Sequence, residues 1–395
     1  MDQQNIDVVI VGGGMVGATL ACSLGKAGLS VALLEKSRPL SVWPAEEYDL
    51  RVSALTLASQ QLFQSLNIWP LMQKRGVQSL QKMLIWDENG DAELAIDSAD
   101  AGELEMGSVV ENRVIVAALW EQLESLETVS LWVAEEIKCF NVSDEEVEII
   151  LSGDKKLKAS LLVGADGANS LVRKLCGIDD YGWAYQQTAL VATVRPEKPH
   201  QKTAWQRFML QGPLALLPLK DSLISIVWSL KSEMVDEYLK MSPQAFCQAL
   251  SEASCGKLGS FKLMGERGAY PLKMKFSTSY AQERVVLVGD AIHTIHPLAG
   301  QGVNLGLKDV ASLSTLVIEA HTKKRDIASQ QVLRRYERQR KGDNLLMMGI
   351  MDAFKRIFSN NQIALSTGRN LIMDGLNRSS LLKKKICQFA MGLNH

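Results

Sequence analysis

The chain has 395 residues, of which 47% are hydrophobic, and its formal net charge is −1. This length suffices for a large core spread over two or three domains, and the balanced charge argues against a nucleic-acid partner. Its apolar runs fall short of the about 18 residues that a membrane-spanning helix needs, and its polar start shows no signal peptide. We therefore expect a cytoplasmic protein that is at most peripheral to a membrane.

The first elements follow a βαβ pattern. The β-branched run Val8–Val11 predicts a buried strand, and Met15–Ala27 predicts a helix that ends at Gly28. Val31–Leu34 predicts a second buried strand, which closes with Glu35. This order is typical of a dinucleotide-binding fold.

A glycine motif lies between the first strand and the first helix. Gly12 permits a tight turn, Gly14 lets the backbone approach a pyrophosphate, and Gly17 lets the helix pack on the sheet. The free N–H groups of the helix start favour phosphate. Glu35, 18 residues after Gly17, can accept hydrogen bonds from ribose hydroxyls. Strand, glycines, helix and acid together predict a dinucleotide site, although a chance glycine turn is the alternative.

The remaining elements alternate in character along the chain. Apolar periodicity predicts helices, short β-branched runs predict buried strands, and alternating runs predict an antiparallel sheet. In chain order we predict helices at Ala54–Leu66 and Arg113–Leu126, a strand at Leu161–Val163, antiparallel strands at Leu190–Val194 and Leu223–Trp228, a buried strand at Val285–Val288, and helices after Val303.

This order predicts a discontinuous α/β fold. A Rossmann-like dinucleotide-binding domain would comprise residues 1–180 and 284–332, with some substrate-domain segments around 70–110. Residues 181–283 would form an inserted antiparallel sheet that binds substrate, and residues 333–395 a helical, basic C-terminal region. Ligands of such folds bind at the junction with the insertion.

A second glycine segment favours FAD over NAD. Gly289-Asp290 follows a predicted strand, where a carboxylate could bind the ribityl hydroxyls of a flavin. The turn that ends at Gly302 would begin a helix whose N-terminus faces the flavin ring and stabilises negative charge on it. In the alternative interpretation, Asp290 only caps its own helix.

Together with Gly164-Ala165-Asp166-Gly167, these two motifs resemble those of the single-component flavoprotein aromatic hydroxylases, the para-hydroxybenzoate hydroxylase class. The similarity is greatest to the bacterial ubiquinone-biosynthesis hydroxylases, and it extends over nearly the whole chain. It is carried by Asp49–Leu55, Val110-Glu111-Asn112, Gly164–Ser170, His293–Gly306 and the Met391-Gly392-Leu393 ending.

The resemblance implies that the discontinuous Rossmann-like domain is an FAD-binding domain of the GR2 type, and it implies roles for further residues. Arg51 would reach the FAD pyrophosphate and pair with or lie near Asp166, and Asn112 would contact the flavin side of the cofactor. Val303 and Asn304 would meet the isoalloxazine through their backbone. From the residues alone, Arg51 could equally form a surface salt bridge.

The resemblance also implies a reaction. NADH or NADPH, bound transiently, would reduce FAD, and O2 would then give a C4a-hydroperoxide that hydroxylates the ring of a polyprenylated phenol or quinol. The segment Asp343–Asn361 is most similar to the family member that acts at the demethoxyubiquinol step. The strand around Val191-Ala192-Thr193 is as similar to the sister member, the 2-polyprenylphenol hydroxylase, so the ring position stays open. A flavin- or lipid-binding accessory subunit without turnover is the non-enzymatic alternative.

Other features suggest contacts rather than chemistry. Candidate walls of the substrate pocket, or else plain sheet core, are Trp205, Phe208, Leu216, Pro218 and Trp228. His293 and His296 lack a third metal ligand, so we expect no metal and assign them to the flavin pocket or its loop. From Leu333 onward, 12 Lys or Arg oppose 4 Asp or Glu. This basic region indicates contact with a membrane or with a ubiquinone-biosynthesis complex, or merely a solvated helix surface.

Overall fold

The computed structural model describes residues 6–88, 93–294, 302–358 and 380–393. Within these ranges the strands form three sheets, numbered here with the helices in chain order. The predicted Gly300-Gln301 turn, His296 and the residues compared at 359–361 lie outside the described ranges.

The first sheet carries the predicted βαβ unit. Its central strands run in parallel in the order β18, β11, β1, β2 and β8, and an antiparallel hairpin of β9 and β10 extends β11. The strands are β1 Ile6–Val11, β2 Val31–Glu35, β8 Val129–Val133, β9 Ile137–Val142, β10 Val147–Leu151, β11 Lys156–Gly164, β17 Ala281–Gln282 and β18 Val285–Leu287. The β18 strand returns to this sheet after a long excursion of the chain, which confirms the predicted α/β class.

The second sheet contains the predicted antiparallel strands. Its order is β19, β16, β12, β15, β14, β13, β5 and β6, and only the β13–β5 pair among them is parallel. The strands are β5 Lys82–Asp87, β6 Glu93–Asp97, β12 Asp180–Pro196, β13 Thr203–Phe208, β14 Leu214–Pro218, β15 Ile224–Lys231, β16 Phe261–Ser277 and β19 His293–Thr294. The exact domain boundaries stay a prediction.

A third, small sheet and the helices complete the described structure. The small sheet joins β3 Val52–Thr56, β4 Gln78–Leu80 and β7 Gly107–Glu111. The helices are α1 Met15–Lys26, α2 Leu57–Ser65, α3 Trp69–Arg75, α4 Asn112–Glu124, α5 Leu171–Leu175, α6 Ser232–Lys240, α7 Pro243–Ala253, α8 Gly302–Thr322, α9 Gln330–Phe358 and α10 Ser380–Ala390. No helix of the described part is long and apolar enough to cross a membrane.

One predicted element was partly wrong. Residues 54–56 were predicted to start a helix, but they end strand β3, in which Ala54 pairs with Val109 and Thr56 with Gly107. The helix begins only at Leu57, after Thr56 caps it by accepting a hydrogen bond from the Ser59 N–H. A pairing partner some 50 residues away decides this boundary, and local periodicity does not reveal such a partner.

Candidate functional site

The glycine motif after β1 forms a compact turn against the neighbouring strand. Gly12 has φ +107°, and a Cβ there would lie 2.4 Å from the Ala165 carbonyl oxygen. A Cβ on Gly17 would lie 1.9 Å from the Gly12 carbonyl oxygen, so α1 can approach β1 only without a side chain at that point. Gly14, in contrast, has nothing within 4 Å of the Cβ position, and no side chain caps α1. Open space beside free N–H groups suits a phosphate.

The acid at the end of β2 is oriented by this same turn. Oε2 of Glu35 accepts a hydrogen bond from the Gly13 N–H at 2.6 Å, and Oε1 accepts one from the Lys36 N–H at 2.8 Å. The Trp120 indole N–H on α4 donates a hydrogen bond to the Gly13 carbonyl at 2.9 Å and so holds the turn against α4. Glu35 is partly exposed beside the phosphate position, so its predicted role toward the ribose stays a prediction that this placement permits.

Asp166 caps a helix and does not pair with Arg51. Its carboxylate accepts hydrogen bonds from the N–H groups of Leu171 at 2.6 Å and Val172 at 3.1 Å, and from the Ser170 hydroxyl. The start of α5 therefore uses both carboxylate oxygens, which explains why the described residues contain no Arg51–Asp166 ion pair. Direct pairing is thus not observed there, and the alternative expectation, that Arg51 lies near Asp166, stays a prediction.

Arg51 lies over the Tyr270 ring instead, with its guanidinium carbon 5.9 Å from the ring centroid. Its positive charge also acts on Asp290, whose pKa it lowers. Arg51 is thus close enough to the Gly289-Asp290 turn of the other predicted motif for its charge to act on Asp290, and its contact with a cofactor stays a prediction.

Asp290 lies in the short 3-10 turn Gly289–Ala291 that follows β18. Among the described residues its carboxylate has no hydrogen-bond or ion-pair partner. The residue is exposed to solvent, although neighbouring protein partly desolvates its carboxylate. Desolvation raises its pKa, against the opposing effect of His293 and Arg51. An unpaired, partly desolvated carboxylate is suited to accept hydrogen bonds from hydroxyl groups.

Two asparagines fix strand β3 from opposite sides. Asn304, at the start of α8, accepts hydrogen bonds from the Thr56 N–H at 3.0 Å and the Ser59 hydroxyl at 2.8 Å, and it donates to the Ala54 carbonyl at 2.7 Å. Its side chain is therefore structural, which leaves its backbone for the predicted flavin contact.

On the other side of β3, the Asn112 side chain accepts a hydrogen bond from the Ser53 hydroxyl at 2.7 Å, and its N–H donates to the Arg51 carbonyl at 2.9 Å. Gly302 begins α8 as predicted, and Val303 beside it is buried. The structure thus gathers these four residues around β3, and their contacts with a cofactor stay predictions.

The sequence did not reveal the buried residues behind Asp290. His293 was expected in the flavin pocket or its loop, and it bonds to Asp309, which in turn bonds to Arg340 of α9. A charged residue within the apolar face of α8, with Leu307 and Val310 as neighbours, was the available signal. An acid at such a position needs a buried partner.

Three of the substrate walls proposed from sequence belong to the core of the second sheet. Trp205, Leu216 and Trp228 pack in the core that the sheet forms with α6 and α7. Because side chains alternate along a strand, Phe208 points to the opposite face from Trp205. Pro218 shares the side of Leu216 and is buried. For Trp205, Leu216 and Trp228, the alternative interpretation as sheet core was correct.

The opposite face of that sheet packs against the segment that precedes Arg51. Val191, Ala189 and Leu272 form an apolar cluster there with Leu50 and Val227 packed against it. The Leu50 Cδ1 atom would lie 2.8 Å from a Cβ on Gly268 of β16, so the segment before Arg51 presses directly on the sheet. This face, rather than the tryptophan face, therefore adjoins Arg51, which lies over Tyr270 of β16.

The turn at Gly14, the unpaired Asp290 and the discontinuous sheet fit an FAD site, and fold and site define an FAD-dependent monooxygenase. The chain belongs to the family described as FAD binding domain, whose match covers residues 5–343. It is 35% identical over 393 residues to the 3-demethoxyubiquinol 3-hydroxylase of Escherichia coli, with all of both chains covered. It is 36% identical to the ubiquinone hydroxylase UbiL of Rhodospirillum rubrum, over 98% of this chain and 89% of that one.

Among solved structures, the fold is similar to that of p-nitrophenol 4-monooxygenase PnpA from Pseudomonas putida. The TM-score is 0.79 at 20% identity, with 99% of each chain covered. At this identity the likeness concerns the fold alone.

Proposed function

We propose that this protein hydroxylates the aromatic ring of a polyprenylated ubiquinone precursor, using FAD, O2 and NADH or NADPH, at the demethoxyubiquinol step. The observation that carries the proposal is the full-length similarity to a 3-demethoxyubiquinol 3-hydroxylase. The site also supports the proposal. The unpaired carboxylate of Asp290 and the uncapped start of α1 both follow strands of the first sheet at the same edge.

Bound FAD would supply the redox chemistry and the activation of oxygen, and the protein would supply position and electrostatics. The start of α1, beside Gly12, Gly14 and Gly17, would hold the pyrophosphate with its N–H groups. Glu35 would bind the adenosine ribose, and Asp290 would bind the ribityl hydroxyls through charge-assisted hydrogen bonds.

The residues around β3 and α8 would hold the flavin end of the cofactor. Arg51 would neutralise phosphate charge, and Asn112 would contact the cofactor on the flavin side. Gly302, Val303 and Asn304 would direct their backbone N–H groups at the ring, where a helix N-terminus stabilises negative charge. Asp166 would support this arrangement through its cap on α5.

The substrate ring would lie between the flavin and the apolar face formed by Ala189, Val191 and Leu272. These side chains exclude water and accept a hydrophobic quinol, whose association buries apolar surface. Leu50 places this face next to Arg51, so the ring and the cofactor would share one cleft.

The sister reaction on a 2-polyprenylphenol is the second candidate. The similarity to a ubiquinone hydroxylase whose name states no ring position is as high as that to the demethoxyubiquinol enzyme. The similarity to relatives named as hydroxylases disfavours a non-catalytic accessory role, and the expected cofactor residues Glu35, Arg51 and Asp290 are all present.

We also propose that the protein acts at the cytoplasmic membrane face or in a biosynthetic complex, held through charge. Arg334, Arg335 and Arg338 on α9 are exposed, as are Lys384 and Lys385 on α10. Among the described side chains of this region, Cys387 on α10 and Met391 just after it are buried in the protein core, so they do not insert into a membrane. Binding to anionic vesicles should therefore weaken steeply with salt.

The direct experiment begins with the purified protein and its absorbance spectrum. Flavin bands that remain after gel filtration, and FAD released on denaturation, are expected. The protein is then given NADH or NADPH, ¹⁸O2 and a short-chain demethoxyubiquinol, and the product should carry one labelled oxygen. Conversion of the matching polyprenylphenol analogue alone would transfer the assignment to the sister reaction, and absence of flavin would refute the enzymatic proposal.

A further inference from the structure

A buried ionic cluster lies directly behind the turn that presents Asp290. Asp309 of α8 is fully buried, and its two carboxylate oxygens have different partners. Oδ2 accepts hydrogen bonds from the Gly289 N–H at 3.0 Å and from His293 Nε2 at 2.6 Å, and Oδ1 accepts one from Arg340 Nε at 2.7 Å. A single oxygen therefore holds the chain on both sides of Asp290.

The cluster is ionised and anchored on the other side by α9. Desolvation alone would raise the pKa of Asp309, but the charges and hydrogen bonds of His293 and Arg340 outweigh it and keep the pKa below its usual value. Arg340, itself buried, also donates to Asp343 at 2.6 Å and to Asn344 at 2.8 Å. A buried carboxylate so fully paired holds its geometry firmly, because loss of one partner leaves the other charge uncompensated.

Asp290 depends on this support because its own side chain is unpaired within the described residues. Its position is set by the backbone of the turn, which starts at Gly289 with φ +62°. Arg173 and Ser277 hold the carbonyl of Ala291. Asp309 alone, among the described side chains, receives the Gly289 N–H.

We propose that Asp309 and Arg340 are positioning residues for the cofactor: they lock the 289–293 turn so that Asp290 is preorganised for the ribityl hydroxyls. Through Arg340, the C-terminal helix α9 becomes part of the FAD site although it does not touch the cofactor. Preorganisation raises affinity because less ordering remains to be done on binding. The inference rests on the proposed role of Asp290.

The first test compares two carboxylates that each pair with a buried arginine. In Asp309→Asn we expect the Kd for FAD, measured by fluorescence titration of the apoprotein, to rise at least tenfold. Asp326 pairs with buried Arg284 at 2.8 Å and is more exposed than Asp309. Within the described part of the chain, its carboxylate accepts hydrogen bonds from Arg284 and the Ala328 N–H and not from the 289–293 turn, so it provides the control. Asp326→Asn should lower the thermal stability and leave the Kd within threefold of wild type. Equal FAD affinity in the two variants would overturn the proposal.

The second test asks whether Asp309 acts through Asp290. In an Asp290→Ala background, adding Asp309→Asn should change the Kd by less than threefold, since positioning an absent carboxylate has no effect. Fully additive losses would mean that Asp309 is merely structural. If Asp290→Ala itself binds FAD like wild type, the proposed role of Asp290 fails, which is a different outcome from failure of the positioning inference.

The histidine provides a variant that does not depend on the folding of Asp309→Asn. Gln at position 293 retains a donor near the place of Nε2, whereas Leu removes it. We expect His293→Gln to bind FAD within threefold of wild type and His293→Leu to bind at least fivefold more weakly. Equal affinity of the two would refute the inference.

Discussion

The glycine turn after β1 allows a separation of folding from cofactor binding with two single-methyl substitutions. Gly14 and Gly17 lie three residues apart in the same motif, yet their surroundings differ. A Cβ on Gly17 would lie 1.9 Å from the Gly12 carbonyl oxygen, a contact that real structures do not tolerate, whereas a Cβ on Gly14 meets nothing within 4 Å.

The magnitudes follow from these contacts. In Gly17→Ala, α1 must move away from β1, and overpacking of this kind costs about 1–3 kcal/mol of stability. Gly14 has φ −70°, which alanine adopts freely. Alanine is a poorer N-cap than glycine by up to about 1 kcal/mol, but the reduced freedom of the unfolded chain returns about 0.4–1 kcal/mol. The net change in Gly14→Ala should stay within about 0.5 kcal/mol.

For FAD binding, Gly14→Ala should be the more damaging of the two substitutions. The Gly14 methyl group would occupy the space where the pyrophosphate approaches, so about 1–3 kcal/mol of steric cost should raise the FAD Kd by about 5- to 150-fold. Thermal unfolding of both apoproteins and FAD titrations provide the two measurements. If Gly14→Ala binds FAD like wild type, or if Gly17→Ala is as stable as Gly14→Ala, the account of this turn is wrong.

Three further predictions concern other parts of the chain. Asp290→Asn should stabilise the apoprotein at neutral pH and weaken FAD binding. The raised pKa of Asp290 means that the folded state disfavours its charge, and this penalty is relieved as the pH falls. A lower melting temperature of the variant apoprotein at neutral pH would contradict this prediction. Trp228→Ala should lower the free energy of unfolding by about 3–5 kcal/mol through a core cavity and leave the KM for the quinol unchanged. Val227→Ala, on the opposite face, should raise that KM in steady-state assays. The reverse pattern would indicate that the tryptophan face lines the substrate pocket. A maleimide should label exposed Cys255 in the native protein but not buried Cys22, because burial raises the pKa of Cys22 to about 12, and mass spectrometry of the labelled peptides decides this.

Several features needed the tertiary structure, and each for an identifiable reason. The strand at 54–56 depends on pairing with β7, and its residues alone have no strong preference. The strands of the second sheet were predicted from their alternating side chains, but this alternation does not show which face α6 and α7 cover. Asp166 belongs to the third motif of the resemblance, yet the helix that follows it uses its carboxylate.

The sequence by itself determined the fold class, the FAD family and the order of the cofactor motifs. It could do so because glycines at fixed spacing, β-branched strands and an acid at a strand end are local requirements of that fold. The tertiary structure alone decided which charges meet. Asp309 and Arg340 are 31 residues apart and join behind Asp290 only when α8 and α9 pack together. Such a pair exists because a buried charge must find a partner, wherever in the chain that partner lies.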